Sequence, residues 1–226
     1  MKIVSIIPAR GGSKGIPRKN IVDFAGKPLM LWTIEQAKAS KLTSDIYVTS
    51  DSKEILEIAD AAGVKTIIRP PELSTDIAAS ESALLHVLNQ IEEAPEYIVF
   101  LQATAPLRKS NDIDNSISLL MDGDADSLLS VTKAYDYIWK ESEGTISSLN
   151  FDFLQRKRRQ DMKPLYYENG SIYVFKPDIL KKYRNRLGGK ISIYYMEPWQ
   201  MVDINDNADL EWAEWLFIKH LSSKTH

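Results

Sequence analysis

Residues 9–20 are the part of this sequence best suited to chemistry, because they combine glycines with closely spaced cations. The stretch reads Ala9-Arg10-Gly11-Gly12-Ser13-Lys14-Gly15-Ile16-Pro17-Arg18-Lys19-Asn20. Glycine lets backbone N–H groups come close to a ligand. Cations beside such N–H groups form a cradle for an anion with several charged oxygens. The alternative is a solvated basic turn, since a loop motif alone is weak evidence.

The position of this loop favours a ligand site. An apolar run at residues 3–7 precedes it and predicts a buried parallel strand. Open α/β sheets bind ligands just beyond the carboxyl ends of their strands. The glycine spacing matches neither a P-loop nor a dinucleotide fingerprint, so the loop indicates an anion site of another kind.

The elements that must position this loop alternate between strand and helix. Apolar runs predict strands at 45–49, 64–69, 97–101, 127–132 and 171–175. Helical spacing predicts helices at 28–40, 52–62, 80–93, 110–121 and 206–221. Such alternation predicts an α/β, Rossmann-like fold, in which helices cover both faces of a mostly parallel sheet.

Composition limits the classes of function. The chain has 226 residues, 44% of them hydrophobic, a net charge of −3 and no cysteine. We expect a single domain over 1–226, with neither a nucleic-acid surface nor thiolate or disulfide chemistry. The start of the chain shows no signal-peptide pattern, and the uncharged run at 97–107 is far shorter than a membrane span. We therefore expect a soluble, cytoplasmic protein with no membrane partner.

Residues 133–168 break the pattern. Here the α/β alternation stops and aromatic residues are mixed with charges. This composition is more typical of a small inserted arm than of a core layer.

Four segments of the chain resemble, in order, the signatures of the sialic acid cytidylyltransferases, the CMP-acylneuraminate synthetases. Residues 9–20 match Ala-Arg-x-Gly-Ser-Lys-Gly-Ile-x-x-Lys-Asn, and residues 69–80 match Arg-Pro-x-x-Leu-Ser-x-Asp-x-Ala-x-Ser. Residues 101–108 and 202–210 match two further signatures with departures. The resemblance implies an enzyme that joins CTP to a free nine-carbon sialic-type acid, releasing pyrophosphate. It also implies Mg²⁺ as cofactor and a homodimer formed through the inserted arm.

The resemblance places the nucleotide on the first two segments. Without it, Arg69 and Ser80 would be a surface arginine and a helix N-cap. In similar enzymes Arg69, the backbone at Ala78 and the Ser80 hydroxyl hold the cytosine, with Asn20 helping. The implied nucleotide-binding residues are Ala9, Arg10, Gly11, Gly12, Ser13, Lys14, Asn20, Arg69, Ala78 and Ser80.

The resemblance places the sugar on residues of the third signature and of the segment 159–173. The family reads Leu-Gln-Pro-Thr-Ser-Pro-Leu-Arg where residues 101–108 place alanines at positions 103 and 105. An arginine ten residues before the Asn-Gly-Ala-Ile-Tyr motif meets the sugar carboxylate in similar enzymes, and a guanidinium pairs bidentately with a carboxylate. The implied sugar-binding residues are Gln102, Thr104, Arg159, Asn169 and Tyr173.

The fourth segment carries the implied metal site. The family has Ile-Asp-Ile-Asp, and this chain has Val202-Asp203-Ile204-Asn205. Asp203 and Asn205 are therefore the candidate Mg²⁺ ligands, with Asn205 replacing the second aspartate. Phosphate-bound Mg²⁺ needs only one or two protein carboxylates. The candidate catalytic residues are Arg10, Lys14, Lys19 and Asp203.

Two other functions fit the sequence. One is a CTP-dependent transferase for another acid sugar, such as Kdo. The other is a catalytically inactive, nucleotide-binding regulatory protein, which only Asn205 favours.

Overall fold

The computed structural model describes residues 1–75 and 78–222, so Asp76 of the second signature lies outside the described residues. Its strands are β1 (Ile3–Pro8), β2 (Asp23–Phe24), β3 (Lys27–Pro28), β4 (Asp45–Ser50), β5 (Lys65–Ile68), β6 (Tyr97–Leu101), β7 (Ser127–Ala134), β8 (Trp139–Ser142), β9 (Thr145–Ser148), β10 (Leu165–Phe175) and β11 (Ile191–Tyr195). Its α-helices are α1 (Leu29–Ala39), α2 (Lys53–Ala61), α3 (Ser80–Leu88), α4 (Asp112–Asp122), α5 (Pro177–Tyr183) and α6 (Asn207–His220).

The central sheet is mostly parallel, as predicted. Within the described ranges it has seven strands in the order β11-β7-β10-β6-β1-β4-β5. Strand β10 runs antiparallel to both of its neighbours, and the other pairs are parallel. The carboxyl ends of β1, β4, β5 and β6 therefore meet at one edge of the sheet, together with the bulge of β10 between Glu168 and Tyr173.

Helices cover both faces of this sheet. In β1, Ile3 and Ile7 face one core cluster and Val4 and Ile6 face the other, as the two-residue period of a strand requires. Helices α1, α2 and α4 pack on the first face, and α3 and α5 pack on the second. A third cluster joins α6 to the hairpin β2–β3 and to residues 202–204. The α/β, Rossmann-like prediction is confirmed.

Some elements differ from the sequence prediction. Helix α3 ends at Leu88, five residues earlier than predicted, and α5 and β11 were not predicted. Strand β11 lies at the sheet edge with no fully buried residue, so it lacks the apolar run of a central strand. Strands β7 and β10 also extend into the predicted arm, so the part that leaves the sheet is 135–164, which carries the hairpin β8–β9.

No helix in the described residues is both long and apolar enough to cross a bilayer. The single-domain boundaries and the dimerising role of the arm stay predictions.

Candidate active site

A pocket of about 280 Å³ opens at the carboxyl edge of the sheet. Its walls come from the loop after β1, from residues 69–80 after β5 and from the turn after β6. It therefore joins three of the four signature segments, which lie far apart in the sequence. Predicted site residues that line it are Arg10, Gly12, Ser13, Lys19, Asn20, Arg69, Ala78, Ser80, Gln102 and Thr104.

Hydrogen bonds fix the shape of the first loop. The backbone N–H of Ala9 donates to Thr49 O (3.0 Å), which continues the pairing of β1 with β4. The N–H of Gly11 donates to Asp51 Oδ1 (2.9 Å). The buried side chain of Asn20 donates from Nδ2 to Arg10 O (2.9 Å). The predicted base-binding residue Asn20 thus also holds the loop, since one of its donors is used there.

Positive charge gathers at the pocket. Arg10, Lys19 and Arg69 all line it. Burial lowers the pKa of Lys19, and the charge of Arg10 adds to this while Asp203 opposes it. Burial also lowers the pKa of Arg69, again with a contribution from Arg10. Closely spaced cations at a pocket suit a ligand with several anionic oxygens.

Arg69 lines the pocket, and most of its side chain is buried there. Its side chain is only 6% exposed, and its Nη2 lies 4.0 Å from Asp51 Oδ1. Its Nε and Nη2 have no hydrogen-bond partner among the described residues. A buried donor left unpaired costs about 1–3 kcal/mol, so a ligand that pairs with it is favoured.

Asp51 and Phe100 were not predicted as site residues. Asp51 follows β4 at the same edge of the sheet. Its Oδ1 accepts the backbone N–H of Gly11 and lies 4.0 Å from Arg69 Nη2. Phe100, in β6, forms part of the pocket wall. The position of Asp51 after a predicted strand was a usable signal, whereas Phe100 reads as an ordinary core residue.

The fourth signature segment lies against the first. Lys19 Nζ donates to Ile204 O (2.7 Å), although 185 residues separate them in sequence. Asp203 Oδ1 is buried and has no hydrogen-bond partner in the part of the chain that the structure describes. Asn205 Nδ2 lies 3.1 Å from Asp203 O and 3.4 Å from Asp203 Oδ2. These two candidate metal ligands are therefore adjacent, although neither lines the pocket itself.

The other two carboxylates of this segment are used elsewhere. Asp206 accepts the backbone N–H of Asp209 (3.0 Å), and Asp209 accepts those of Asn205 (2.8 Å) and Asp206 (3.2 Å). This reciprocal pair caps α6. Among the described residues no group of three or more His, Cys, Asp or Glu side chains could hold a metal. Asp203 is therefore the carboxylate of this segment left for a ligand.

Two of the predicted sugar-binding residues are buried in the sheet. Asn169 Oδ1 accepts from Ser130 Oγ (2.6 Å) and from the N–H of Ser171 (3.2 Å), so its side chain holds the β10 bulge. The Tyr173 hydroxyl donates to Glu168, and burial raises the pKa of this tyrosine well above its usual range. Neither side chain lines the pocket, and their sugar contacts stay predictions.

Gln102, another predicted sugar-binding residue, lines the pocket. It lies against Gly170, where an added Cβ would be 3.2 Å from Gln102 Oε1.

The remaining predicted residues lie outside the pocket lining. Lys14 is exposed on the loop, and Arg159 is exposed in a short 3-10 turn of the arm. The predicted residues that do not line the pocket are Ala9, Gly11, Lys14, Arg159, Asn169, Tyr173, Asp203 and Asn205.

Arg108, which the sequence retains from the third signature, holds the backbone of the pocket residue Gln102. It is fully buried, and burial lowers its pKa to about 9. Its guanidinium donates to Thr33, to Gln36, to the carbonyl of Gln102 (2.7 Å) and to the carbonyl of Ser171 (2.8 Å). Arg108 thus fixes the backbone that carries Gln102 to the neighbouring strand β10.

An open, mostly parallel sheet with a cation-lined pocket at its carboxyl edge is typical of nucleotide-binding α/β proteins. Residues 4–214 match the family described as cytidylyltransferase. The chain belongs to this cytidylyltransferase family.

Named relatives agree with this assignment. The chain is 36% identical over 214 residues to N-acylneuraminate cytidylyltransferase A of Danio rerio, covering 93% of this chain and 49% of the relative. It is 31% identical over 238 residues to the pseudaminic acid cytidylyltransferase of Campylobacter jejuni, covering 99% of this chain and all of the relative. The chain spans about half the length of the N-acylneuraminate cytidylyltransferases that it matches.

Solved structures share the fold. A CMP:2-keto-3-deoxy-manno-octonic acid synthetase complexed with CTP superposes with a TM-score of 0.74 at 18% identity, covering 98% of this chain and 100% of the other. A 4-diphosphocytidyl-2C-methyl-D-erythritol synthase from Anaerococcus prevotii gives 0.69 at 12% identity, covering 95% and 97%. At these identities the likeness concerns the fold alone.

Proposed function

We propose that the protein transfers the CMP group of CTP to the anomeric hydroxyl of a free nine-carbon acid sugar. The observation that carries this proposal is the pocket, in which the cations of the first loop meet the Arg69–Ser80 segment. Membership of the cytidylyltransferase family and the names of the relatives support it.

The reaction is an in-line displacement at the α-phosphorus. The anomeric oxygen forms a bond to this phosphorus while the bond to the bridging oxygen of the β-phosphate breaks. Pyrophosphate leaves, and the hydroxyl proton is released as the new bond forms. Phosphoryl-type transfer depends mainly on positioning and charge stabilisation. Arg10, Lys14 and Lys19 are proposed to neutralise the phosphate oxygens.

The second signature segment is proposed to select the base. The unused donors of Arg69, the backbone at Ala78 and the Ser80 hydroxyl offer polar groups to one base edge. Cytosine presents an amino group where uracil presents a carbonyl. Polar groups that pair with the cytosine edge would therefore leave a buried group unpaired when uracil is bound.

The Asp203 segment fits a magnesium ion. The orphaned, buried Oδ1 of Asp203 is an oxygen donor of the kind that Mg²⁺ prefers. We propose that Asp203, with the side-chain carbonyl of Asn205, would hold Mg²⁺. When bound, the ion would neutralise charge on the phosphate oxygens.

The sugar is proposed to lie beside Gln102 and Thr104, the two predicted sugar residues that line the pocket. Arg159, Asn169 and Tyr173 stay candidates from the resemblance. A homodimer through residues 135–164 and a cytoplasmic location are also part of the proposal.

Two alternatives remain open. A transferase for Kdo is favoured only by the shared fold with the octonic acid synthetase. A regulatory protein that binds CTP without turnover is favoured only by Asn205 at the proposed metal site.

The test is an activity assay with CTP, Mg²⁺ and one of a panel of free acids: sialic, legionaminic, pseudaminic, a deaminated sialic acid, and Kdo. Pyrophosphate release and the mass of the product are measured for each. We expect a CMP-sugar from at least one nine-carbon acid. Turnover of Kdo alone would favour the first alternative, and CTP binding without any turnover would favour the second.

A further inference from the structure

The carboxyl end of β4 lies between the two segments that are proposed to hold the nucleotide. In the sheet, β4 pairs with β1 on one side and with β5 on the other. The loop proposed to bind the phosphates follows β1, and Arg69, which is proposed to bind the base, follows β5. The turn of residues 50–52 at the end of β4 is therefore placed to contact both segments.

This turn does contact both segments. The backbone N–H of Gly11 donates to Asp51 Oδ1 (2.9 Å), and a Cβ added at Gly11 would stand 2.9 Å from Ser52 Cβ. On the other side, the backbone N–H of Arg69 donates to Ser50 O (2.8 Å). The N–H of Ser52 donates to Ser50 Oγ (3.0 Å), which holds the turn itself. Asp51 thus lies in a turn whose backbone is fixed on both sides.

Asp51 acts on the side chain of Arg69 through its charge. Its Oδ1, the oxygen that accepts from Gly11, lies 4.0 Å from Arg69 Nη2, which is too long for a hydrogen bond. The two side chains are 28% and 6% exposed, so their opposite charges attract more strongly than they would in water. Burial lowers the pKa of Arg69, and the charge of Asp51 opposes this lowering. The carboxylate therefore favours a charged guanidinium at this position.

We propose that Asp51 is a positioning residue that fixes the phosphate loop and Arg69 relative to each other. Its acceptor oxygen holds Gly11, and its negative charge keeps the guanidinium of Arg69 in place. The inference rests on the proposed function, in which these two segments bind the phosphates and the cytosine of one CTP molecule. A cytosine that pairs with Arg69 then brings the α-phosphorus into place against the loop, whereas a base that does not pair leaves it misplaced.

A purely structural role is the competing explanation, because the same contacts join the ends of β1, β4 and β5. A loss of stability alone would lower the activity with CTP and with UTP by the same factor. A positioning role acts on the choice of base. The two explanations therefore predict different ratios of kcat/KM for the two nucleotides.

The experiment compares Asp51→Asn and Asp51→Ala with the wild type. Asparagine keeps an oxygen that can accept the N–H of Gly11 but removes the charge, whereas alanine removes both. Asp45→Asn is the matched control, because Asp45 lies at the other end of β4, is 21% exposed and pairs with Lys65 (2.7 Å). The measurements are kcat and KM for CTP and for UTP, inhibition by pyrophosphate, and thermal unfolding.

We expect Asp51→Asn to lower the ratio of kcat/KM for CTP to that for UTP about 3–10-fold. This is part of the factor of about 5–150 that one unpaired group is worth. Inhibition by pyrophosphate should stay near that of the wild type, since the loop keeps its acceptor. Asp51→Ala should lower the ratio as well, and should also weaken inhibition by pyrophosphate about 3–10-fold, as for a lost hydrogen bond. Asp45→Asn should change neither quantity.

A double-mutant cycle tests whether Asp51 acts through Arg69. The ratio for the two nucleotides is measured in Arg69→Ala and in the double variant that also carries Asp51→Asn. Once the guanidinium is gone, the charge of Asp51 has no group left to position there. Asp51→Asn should therefore lower the ratio no further in the Arg69→Ala background.

Four results would overturn the inference. They are an unchanged ratio in Asp51→Asn, a fall of the same size in the Arg69→Ala background, a fall that Asp45→Asn reproduces, and pyrophosphate inhibition weakened equally in Asp51→Asn and Asp51→Ala. In each case the wild type still turns over CTP with an acid sugar, so the proposed function survives. A wild type that is inactive with every acid would remove the proposed function and the inference together.

Discussion

Gly15 of the first loop lies directly against the backbone of Asn205. A Cβ added at Gly15 would stand 2.0 Å from the carbonyl oxygen of Asn205, closer than any side chain allows. Together with the bond from Lys19 to Ile204 O (2.7 Å), this contact joins the proposed phosphate loop to the proposed metal segment. The relative position of the two segments therefore depends on a residue without a side chain.

Gly15→Ala is expected to separate these segments. Because backbone atoms block the new Cβ, either the loop or the Asp203 segment must move, and kcat should fall at least about tenfold through misplaced catalytic groups. The free energy of unfolding should also fall. Gly12→Ala is the control for stability, since nothing lies within 4 Å of its added Cβ. Normal kcat in Gly15→Ala would show that the contact is dispensable.

Lys19→Ala should reduce kcat about 10²–10³-fold, the usual cost of removing one donor to developing charge. Arg158→Ala should leave kcat nearly unchanged, because Arg158 is exposed in the arm and pairs there with Asp161. Steady-state kinetics of both variants, with a check of folding by circular dichroism, decide the point. Near-normal turnover in Lys19→Ala would rule out its phosphate role.

The pH dependence should also report on Lys19. Burial lowers the pKa of this lysine, and Arg10 adds to the shift. The free enzyme therefore loses the cation as pH rises through this lowered pKa, and kcat/KM for CTP should fall there. In Lys19→Arg the fall should move to higher pH, since arginine stays protonated. An identical alkaline limb in both enzymes would assign that limb to another group.

Asn205 replaces the second aspartate of the family signature, and this replacement predicts weaker binding of Mg²⁺. An amide carbonyl carries less charge than a carboxylate, so the wild type should need more Mg²⁺ than Asn205→Asp. Asp203→Ala should be nearly inactive, whereas Asp206→Ala should lose mainly stability, because Asp206 caps α6. Magnesium titrations of the four enzymes measure this.

If a residue other than Asp203 binds the metal, the same variants give a different result. Activity kept in Asp203→Ala but lost in Asp206→Ala would mean that Asp206 is the metal ligand. Activity that appears only in Asn205→Asp would support the inactive regulatory protein.

The parts of the structure that the sequence predicted are those set by local patterns. The strand before Ala9 and the loop after it follow from an apolar run and a glycine–cation motif. The meeting of Arg10, Arg69 and Gln102 in one pocket follows from the rule that parallel strands share a carboxyl edge.

The parts that the sequence did not predict depend on contacts between distant segments. Arg186 reaches Phe100 across the sheet, and Asp51 reaches Gly11 from the next strand. Trp212 and Trp215 are 53% and 49% exposed and stack on each other, because Ala213, Leu216 and Phe217 occupy the inner face of α6.

The measurement that tests the account most directly is kcat/KM of the wild type for CTP and for UTP, with Mg²⁺ and an accepted acid sugar. We expect a strong preference for CTP, because Arg69, Ala78 and Ser80 line the pocket and are proposed to fit the cytosine edge. An unpaired group on this wall costs about 1–3 kcal/mol, or about 5–150-fold in kcat/KM. Equal kcat/KM for the two nucleotides would contradict the assignment of this pocket to cytosine.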